Sequence, residues 1–248
     1  MKVSVITATF NSAIGISECL ESILTQDYKN IECIIIDGNS NDQTLEIIAE
    51  KQDEYSNIYL FSEADHGIYD ALNKGINKAN GDIICFVHSD DILKSNSILD
   101  KIVNLIKNEN YDGVYGDLNY VKKTNTNKII RNWKSSGFHP SLLRKGWMPP
   151  HPTLFLKKEV YEKHGFFDLS YSISADYDFI LRIFKDPELK FGYLPTVITN
   201  MRVGGASNRS IKNIIKKSKE DYFAIKRNNV GNIITLIRKN TSKIKQFF

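Results

Sequence analysis

Residues 86–93, FVHSDDIL, set a histidine and two adjacent carboxylates directly after an apolar run. Apolar strand residues gain stability from burial, whereas unpaired charges lose it on leaving water. His88, Asp90 and Asp91 therefore belong at a strand's end, where solvent or a ligand reaches them. Two acids there can hold a hard divalent cation, which takes oxygen ligands, keeps several waters and can clamp phosphate oxygens. The plainer alternative is a solvated turn, or a cap on the helix near residue 96. A second pair of acids, Asp176 and Asp178 in SADYDFILRIF, stands at a helix start. Phe179, Ile180, Ile183 and Phe184 define the buried side of that helix, and Asp176, three and four residues before the first two, projects at the inward side of its first turn. Asp178 lies about 200° further round, as a surface or structural acid that can pair with Arg182.

The elements that must position these groups alternate. KVSVITATF is a strand, followed by Ile16, Cys19, Leu20, Ile23 and Leu24 at helical spacing. IECIIIDG is a second strand ending at Asp37, and Asp42 can cap the next helix, with Leu45, Ile48 and Ala49 inward. NIYLFS is a third strand. Ile68, Leu72, Gly75, Ile76 and Ala79 form the next helical stripe, and DIICFVHSDD is the fourth strand. Residues 96–108 add a helix with Ile98, Ile102, Leu105 and Ile106 inward. Continuous apolar strands separated by helices predict an α/β fold with a mostly parallel sheet covered on both faces. In such sheets ligands bind beyond the carboxyl ends of the strands. The polar residues at those ends are Thr7, Thr9 and Asn11, then Asp37, then Asp65, then Asp90 and Asp91. After three other polar strand ends, the Asp90–Asp91 pair reads as ligand-binding. Beyond residue 110, YDGVYGDLNYV, KKTNTN and KIIRNW predict a β-hairpin, GWMPPHPTLF a loop into a strand and short helix, and two amphipathic helices close the chain.

The 248 residues are 42% hydrophobic and 25% charged, an ordinary globular composition. Lys2 leads directly into a strand, which is not a signal-peptide layout, and no run approaches the length of a membrane span. Cys19, Cys33 and Cys85 are widely spaced among apolar neighbours and read as buried thiols in a reducing, cytoplasmic setting. The net charge of +4 is uneven: residues 211–248 carry +8, leaving −4 for residues 1–210.

The segments SVITATFN, IIIDGNSNDQT, SEADHGIYDALNKGINKANGDIICFVHSDD and SADYDFILRIF resemble family 2 glycosyltransferases of the GT-A fold, in order and spacing, from residue 2 to about residue 208. The resemblance implies a GT-A, Rossmann-like sheet flanked by helices, with a β-hairpin extension and C-terminal helices. The domain would span 1–210, as a nucleotide-binding half (1–110) and an acceptor-binding half (111–210), followed by a basic helical tail at 211–248. It also implies a nucleotide-diphosphate sugar donor, a Mg²⁺ or Mn²⁺ ion, and inverting transfer to a glycan or polyprenyl-linked acceptor in capsule, exopolysaccharide or O-antigen synthesis. Carried over by position, Thr7, Thr9 and Asn11 fall in the first nucleotide-contacting loop. Asp37 matches the base-reading acid, Asp65 faces ribose and diphosphate, and Asp90 and Asp91 match the metal region. His88 stands where an acid or Asn is usual, and can donate to ribose, ligate Mn²⁺, or simply bond to backbone.

Inverting transfer needs a carboxylate across from the leaving group to take the acceptor's proton. Asp176 matches it, with Ala175 replacing the family's usual Glu; simple helix capping is the alternative. His151, in PPHPTLF, belongs near acceptor and diphosphate, or to a turn. In MRVGGASN, Arg202 and backbone amides can approach phosphate. Trp133 and Trp147 read as core or interface. Ile211, Ile214, Ile215, Ser218 and Ile225 beside Lys212, Lys216, Lys217 and Lys219 suit an anionic membrane surface, or a helix packed on the domain or on another copy in a homo-oligomer. Nothing in the pattern points to nucleic acid. Two other readings compete: a nucleotidyltransferase, which would carry a Gly-rich basic loop that TATFNSAIG lacks, and a non-catalytic sugar-nucleotide-binding subunit.

Overall fold

The structure, a computed structural model, describes residues 1–204 and 211–242, without the side chain of Ile211. The chain opens as β1 (Val3–Thr9), α1 (Ile16–Leu24), β2 (Ile31–Asp37), α2 (Thr44–Glu54), β3 (Ile58–Ser62), α3 (Ile68–Lys78) and β4 (Ile83–Phe86). It continues as β5 (Ile92–Leu93), α4 (Ile98–Glu109), β6 (Gly113–Lys122), β7 (Asn125–Trp133), β8 (Phe155–Lys157), α5 (Lys158–His164), α6 (Ala175–Phe184), β9 (Phe191–Arg202), α7 (Ile211–Arg227) and α8 (Ile233–Ser242).

The strands order as β3-β2-β1-β4-β8-β6-β9-β5, with β7 paired to β6. The first four are parallel, and Thr9, Asp37 and Ser62 fall in register at their carboxyl ends. Every residue of β1 and β2 is buried, because both faces are covered. Along β1, Val3 and Val5 face α1 and α4, while Ile6 and Ala8 face α3. β6 and β7 form the expected hairpin around Lys123 and Thr124. The three cysteines are free and buried, and burial raises each thiol, that of Cys33 to about 12.

The stripe on α1 is buried as expected. On α2 the buried face is narrower: Thr44 and Ile48 are inward, Leu45 is half-buried and Ala49 exposed. This helix covers the edge strand β3, where the sheet shields only one row of side chains. In α4, Leu99 and Val103 are buried and Leu105 only partly. α6 is buried nearly all round, by the sheet on one side and α7 on the other. Ala224, Ile225, Val230 and Leu236, from α7 and α8, join the same core as Phe179 and Phe184. No helix among the described residues is long and apolar enough to cross a membrane.

Candidate active site

A cleft of about 970 Å³ opens beyond the carboxyl ends of β1 and β4. The β1–α1 loop (Asn11, Ser12, Gly15) lines one side and His88–Asp91 its floor. His151 and Asp176 line the opposite wall, with Lys216 and Lys217 of α7 beside them.

The two adjacent acids of the floor have different surroundings. Asp90 is partly exposed in the cleft. Asp91 is 1% exposed, and its Oδ1 accepts the Arg202 backbone N–H at 3.3 Å. Its Oδ2 is buried with no hydrogen-bond partner among the described residues. Burial first, then the neighbouring Asp90 charge, holds the Asp91 carboxyl well above the usual range, against the pull of Arg202. Arg202 lines the cleft, where its guanidinium donates to the Asp90 carbonyl at 2.6 Å and pairs with Glu18. Of the glycine-rich segment after it, residues 205–208 lie outside the described part.

On the other wall, α6 begins at Ala175 and aims Asp176 into the cleft. The Asp176 carboxylate does not cap its helix. Its Oδ2 lies 3.2 Å from His151 Nδ1, and its Oδ1 3.0 Å from the Tyr69 hydroxyl, whose single proton is shared with the Ile173 carbonyl at 2.6 Å. Burial works to raise the Asp176 carboxyl, but His151, Lys217, Lys239 and Tyr69 together hold it below its usual value. Burial lowers His151 against the pull of the Asp176 charge, and Nδ1 is the ring nitrogen that faces Asp176. The ring of His88 lies beside that of His151, 6.1 Å between centroids, and burial with the His151 charge lowers it to about 4. Its Nδ1 has no partner among the described residues, so it is not the backbone-bonded histidine of the plainer reading.

Asp178 is not at the surface. It is 2% exposed, accepts from Asn228 Nδ2 at 2.8 Å and faces Arg182 Nε at 3.3 Å, the expected i, i+4 pair. The loop entering α6 is held from the tail: Glu220 of α7 accepts the backbone N–H groups of Ser172, Ile173 and Ser174 at 3.2, 2.8 and 3.0 Å. A carboxylate at this helix N-terminus also opposes the positive end of the dipole. Reading the sequence missed Glu220, Tyr69 and Lys217 as site residues. Tyr69 lay inside a quoted motif segment but off the helical stripe read there. Glu220 carries no local signal, since its partners are more than forty residues away.

Among the other expected donor-site residues, Asn11 lines the cleft, while Thr7, Thr9, Asp37 and Asp65 do not. Thr7 and Thr9 are buried on the face of β1 that meets α1, because strand side chains alternate. Asp37 is buried at its strand end, accepting from Ser40 N at 3.0 Å and Ser62 Oγ at 2.7 Å. Asp65 Oδ2 approaches so closely that a Cβ on Gly38 would lie 2.6 Å from it, and the exposed Phe10 ring flanks the same glycine. Trp147 belongs to an aromatic cluster with Tyr115, Phe138 and Phe184, away from the cleft.

No group of three or more His, Cys, Asp or Glu among the described residues could hold a metal alone. The carboxylate of Asp90 in the cleft, with the unpartnered Asp91 Oδ2 behind it, nevertheless fits a hard cation held by one or two carboxylates and a ligand's phosphates.

Residues 4–168 match the family model "Glycosyl transferase family 2". A PGL/p-HBAD biosynthesis glycosyltransferase of Mycobacterium bovis is 31% identical over 220 residues, 86% of this chain and 82% of the relative. A dolichyl N-acetyl-alpha-D-glucosaminyl phosphate 3-beta-D-2,3-diacetamido-2,3-dideoxy-beta-D-glucuronosyltransferase of Methanococcus voltae is 27% identical, covering 86% of this chain and 70% of its own. In fold, the chain is similar to S. aureus TarS 1–349 in complex with UDP-GlcNAc (TM-score 0.71, 18% identity, 93% of this chain and 66% of that one). It is also similar to the Pyrobaculum calidifontis mannosyltransferase PcManGT in complex with GDP-Man and Mn²⁺ (TM-score 0.67, 20% identity, 91% and 63%). The chain thus spans about two thirds of the length of these solved proteins. A cleft at the carboxyl end of a parallel sheet, with Asp90 on its floor and Asp176 on its wall, and a family match over most of the sequence, lead to one conclusion: the chain belongs to glycosyl transferase family 2.

Proposed function

We propose that this enzyme transfers a sugar from a nucleotide-diphosphate sugar to a hydroxyl of a glycan or polyprenyl-linked acceptor, with inversion, in surface-glycan synthesis. The observation that carries this reading is the Asp176 carboxylate, held ionised in the cleft between Tyr69 and His151, across from Asp90. The acceptor oxygen attacks the anomeric carbon as the bond to the diphosphate breaks, and its proton passes to Asp176. Tyr69 and His151 leave the carboxylate a fixed orientation, which favours a near-attack geometry. Asp90, backed by Asp91, would hold a Mg²⁺ or Mn²⁺ ion, which when bound stabilises negative charge on the departing diphosphate. Asn11, Asp37 and Asp65, with the exposed Phe10 ring, are assigned to the nucleoside end. Thr7 and Thr9 serve that end only by packing the strand beneath it.

The sugar-nucleotide class is supported by the ligands named for TarS and PcManGT, and the lipid-linked acceptor by the name of the Methanococcus relative. Family membership sets aside the nucleotidyltransferase reading. The test is an assay of UDP- and GDP-sugars with Mn²⁺, following release of the nucleoside diphosphate and reading the product's anomeric configuration by NMR. A product that retains the donor's configuration would remove the direct role of Asp176.

A further inference from the structure

A separate cavity of about 430 Å³ lies between the 3-10 turn Pro140–Lys145, the end of α7 and the start of α8. Arg144, Lys226 and Arg238 line it together with Asn229, Asn232 and Ile234. None of the three cations is ion-paired among the described residues. Three unpaired cations around one hollow are suited to a phosphate group.

The helix that forms one wall has an unusual outer face. α8 buries Thr235, Leu236 and Lys239. Ile233, Ile234 and Ile237 point outward and are 51, 52 and 55% exposed. On an α-helix these three span roughly 100°, on the side opposite Lys239. Single exposed apolar residues are commonplace, but a contiguous apolar face bordered by cations is the pattern of a helix lying at a membrane interface.

On the basic amphipathic face that the sequence placed at the first turns of α7, Ile214 and Ile215 are exposed, but other members are already engaged. Ile225 is buried in the core, Lys216 donates to Ser172 Oγ at 2.8 Å, and Lys216 and Lys217 line the cleft. We infer that a contact lies at the α7–α8 end, as a site for an anionic phospholipid bilayer. A lipid phosphate enters the Arg144–Lys226–Arg238 cavity while Ile233, Ile234 and Ile237 enter the headgroup–acyl boundary. α7 connects the two sites: Lys216 at the cleft and Lys226 at the cavity are separated by roughly 15 Å of helix. An acceptor presented from the bilayer is thereby brought near the cleft, a consequence that rests on the lipid-linked acceptor proposed above; the bilayer contact does not.

Cosedimentation of the full chain with phosphatidylcholine vesicles, with and without phosphatidylglycerol, tests the site. Deleting the tail would be uninformative, because Glu220 and Ile225 belong to the folded core. Binding is expected only with phosphatidylglycerol present, and is weakened by salt. Arg144→Ala, Lys226→Ala and Arg238→Ala should each lower the partition coefficient about fivefold. The double variant Ile234→Ser/Ile237→Ser should lower it about tenfold or more, and all four proteins should keep the wild-type melting midpoint. Unchanged binding in all four variants overturns the site. Two further results also overturn it. One is a melting shift with inorganic phosphate, lost in Arg238→Ala, without vesicle binding, which would mark a small-anion site. The other is a dimer in sedimentation velocity that the isoleucine variant dissociates, again without vesicle binding, which would mark a self-association face.

Discussion

The two pairs of acids that frame the cleft, Asp90–Asp91 and Asp176–Asp178, divide in the same way. In each, one member is almost wholly buried and held by groups distant in sequence: Asp91 by Arg202, Asp178 by Asn228. The other member, Asp90 or Asp176, faces the cleft. The buried acid orients the strand end or helix turn on which its neighbour stands. The pairs differ in electrostatics. Burial and Asp90 raise Asp91, whereas His151 and the nearby lysines overcome burial to lower Asp176. On the proposed function, the floor would gain from a bound cation, while the wall would keep its base charged without one.

The largest expected effect separates the members of the wall pair. Asp176→Asn keeps the shape and loses basicity, so transfer should fall roughly 10²–10⁴-fold while sugar-donor and Mn²⁺ binding persist. Asp178→Asn should leave most of the rate but cost about 1–3 kcal/mol of stability, measured by denaturant unfolding, because it disturbs a buried network. The reverse result would make Asp178 the base.

Next in size is the floor. Nucleoside diphosphate with Mn²⁺ should raise the melting midpoint of the wild type, and Asp90→Asn should abolish the Mn²⁺-dependent part. An unchanged Mn²⁺ effect would break the assignment of Asp90. Glu220→Ala loosens the loop before Asp176, so kcat should drop roughly ten- to hundredfold with the sugar-donor KM unchanged. A shift in KM alone would show that Glu220 shapes the binding site and not the base.

The smallest effect is on stability without metal. The folded-state Asp91 carboxyl binds its proton more tightly than in the unfolded chain, so its ionised form destabilises the fold at neutral pH. Asp91→Asn should raise the metal-free melting midpoint by a few degrees at neutral pH. That advantage should shrink as pH falls through the raised folded value and the wild type takes up its proton. Asp176 has the opposite sign: its contribution to stability is present above the ordinary carboxylate range and is lost as pH falls through its lowered folded value.

The parallel half of the sheet was legible because its strands are continuous apolar runs and its helices carry complete stripes, as on α1. The phase of α6 was legible for a related reason: Phe179, Ile180, Ile183 and Phe184 fixed where Asp176 points. Periodicity reports which side is buried but not what lies against it. It left Asp178 as a surface or structural acid and the stripe with Ile225 as a membrane face or a packed one, and only the fold shows both residues buried. Asp90 and Asp91 look alike as letters, and only the return of β9 with Arg202 tells them apart. Thr7 and Thr9 sit at the right strand end, but alternation turns both away from the cleft.

Arg202 joins parts of the chain that are made at very different times. Its side chain reaches Glu18, 184 positions earlier, and its amide reaches Asp91. Glu220 follows with its grip on residues 172–174. On a ribosome adding roughly 5–20 residues per second, Asp90 and Asp91 wait several seconds or more for the partner that separates their roles. The nascent N-terminal half can pair its parallel strands early, yet the catalytic arrangement closes only when the last helices emerge. Synthesis that stops short of α7 should therefore yield a chain with most of its sheet and none of its activity.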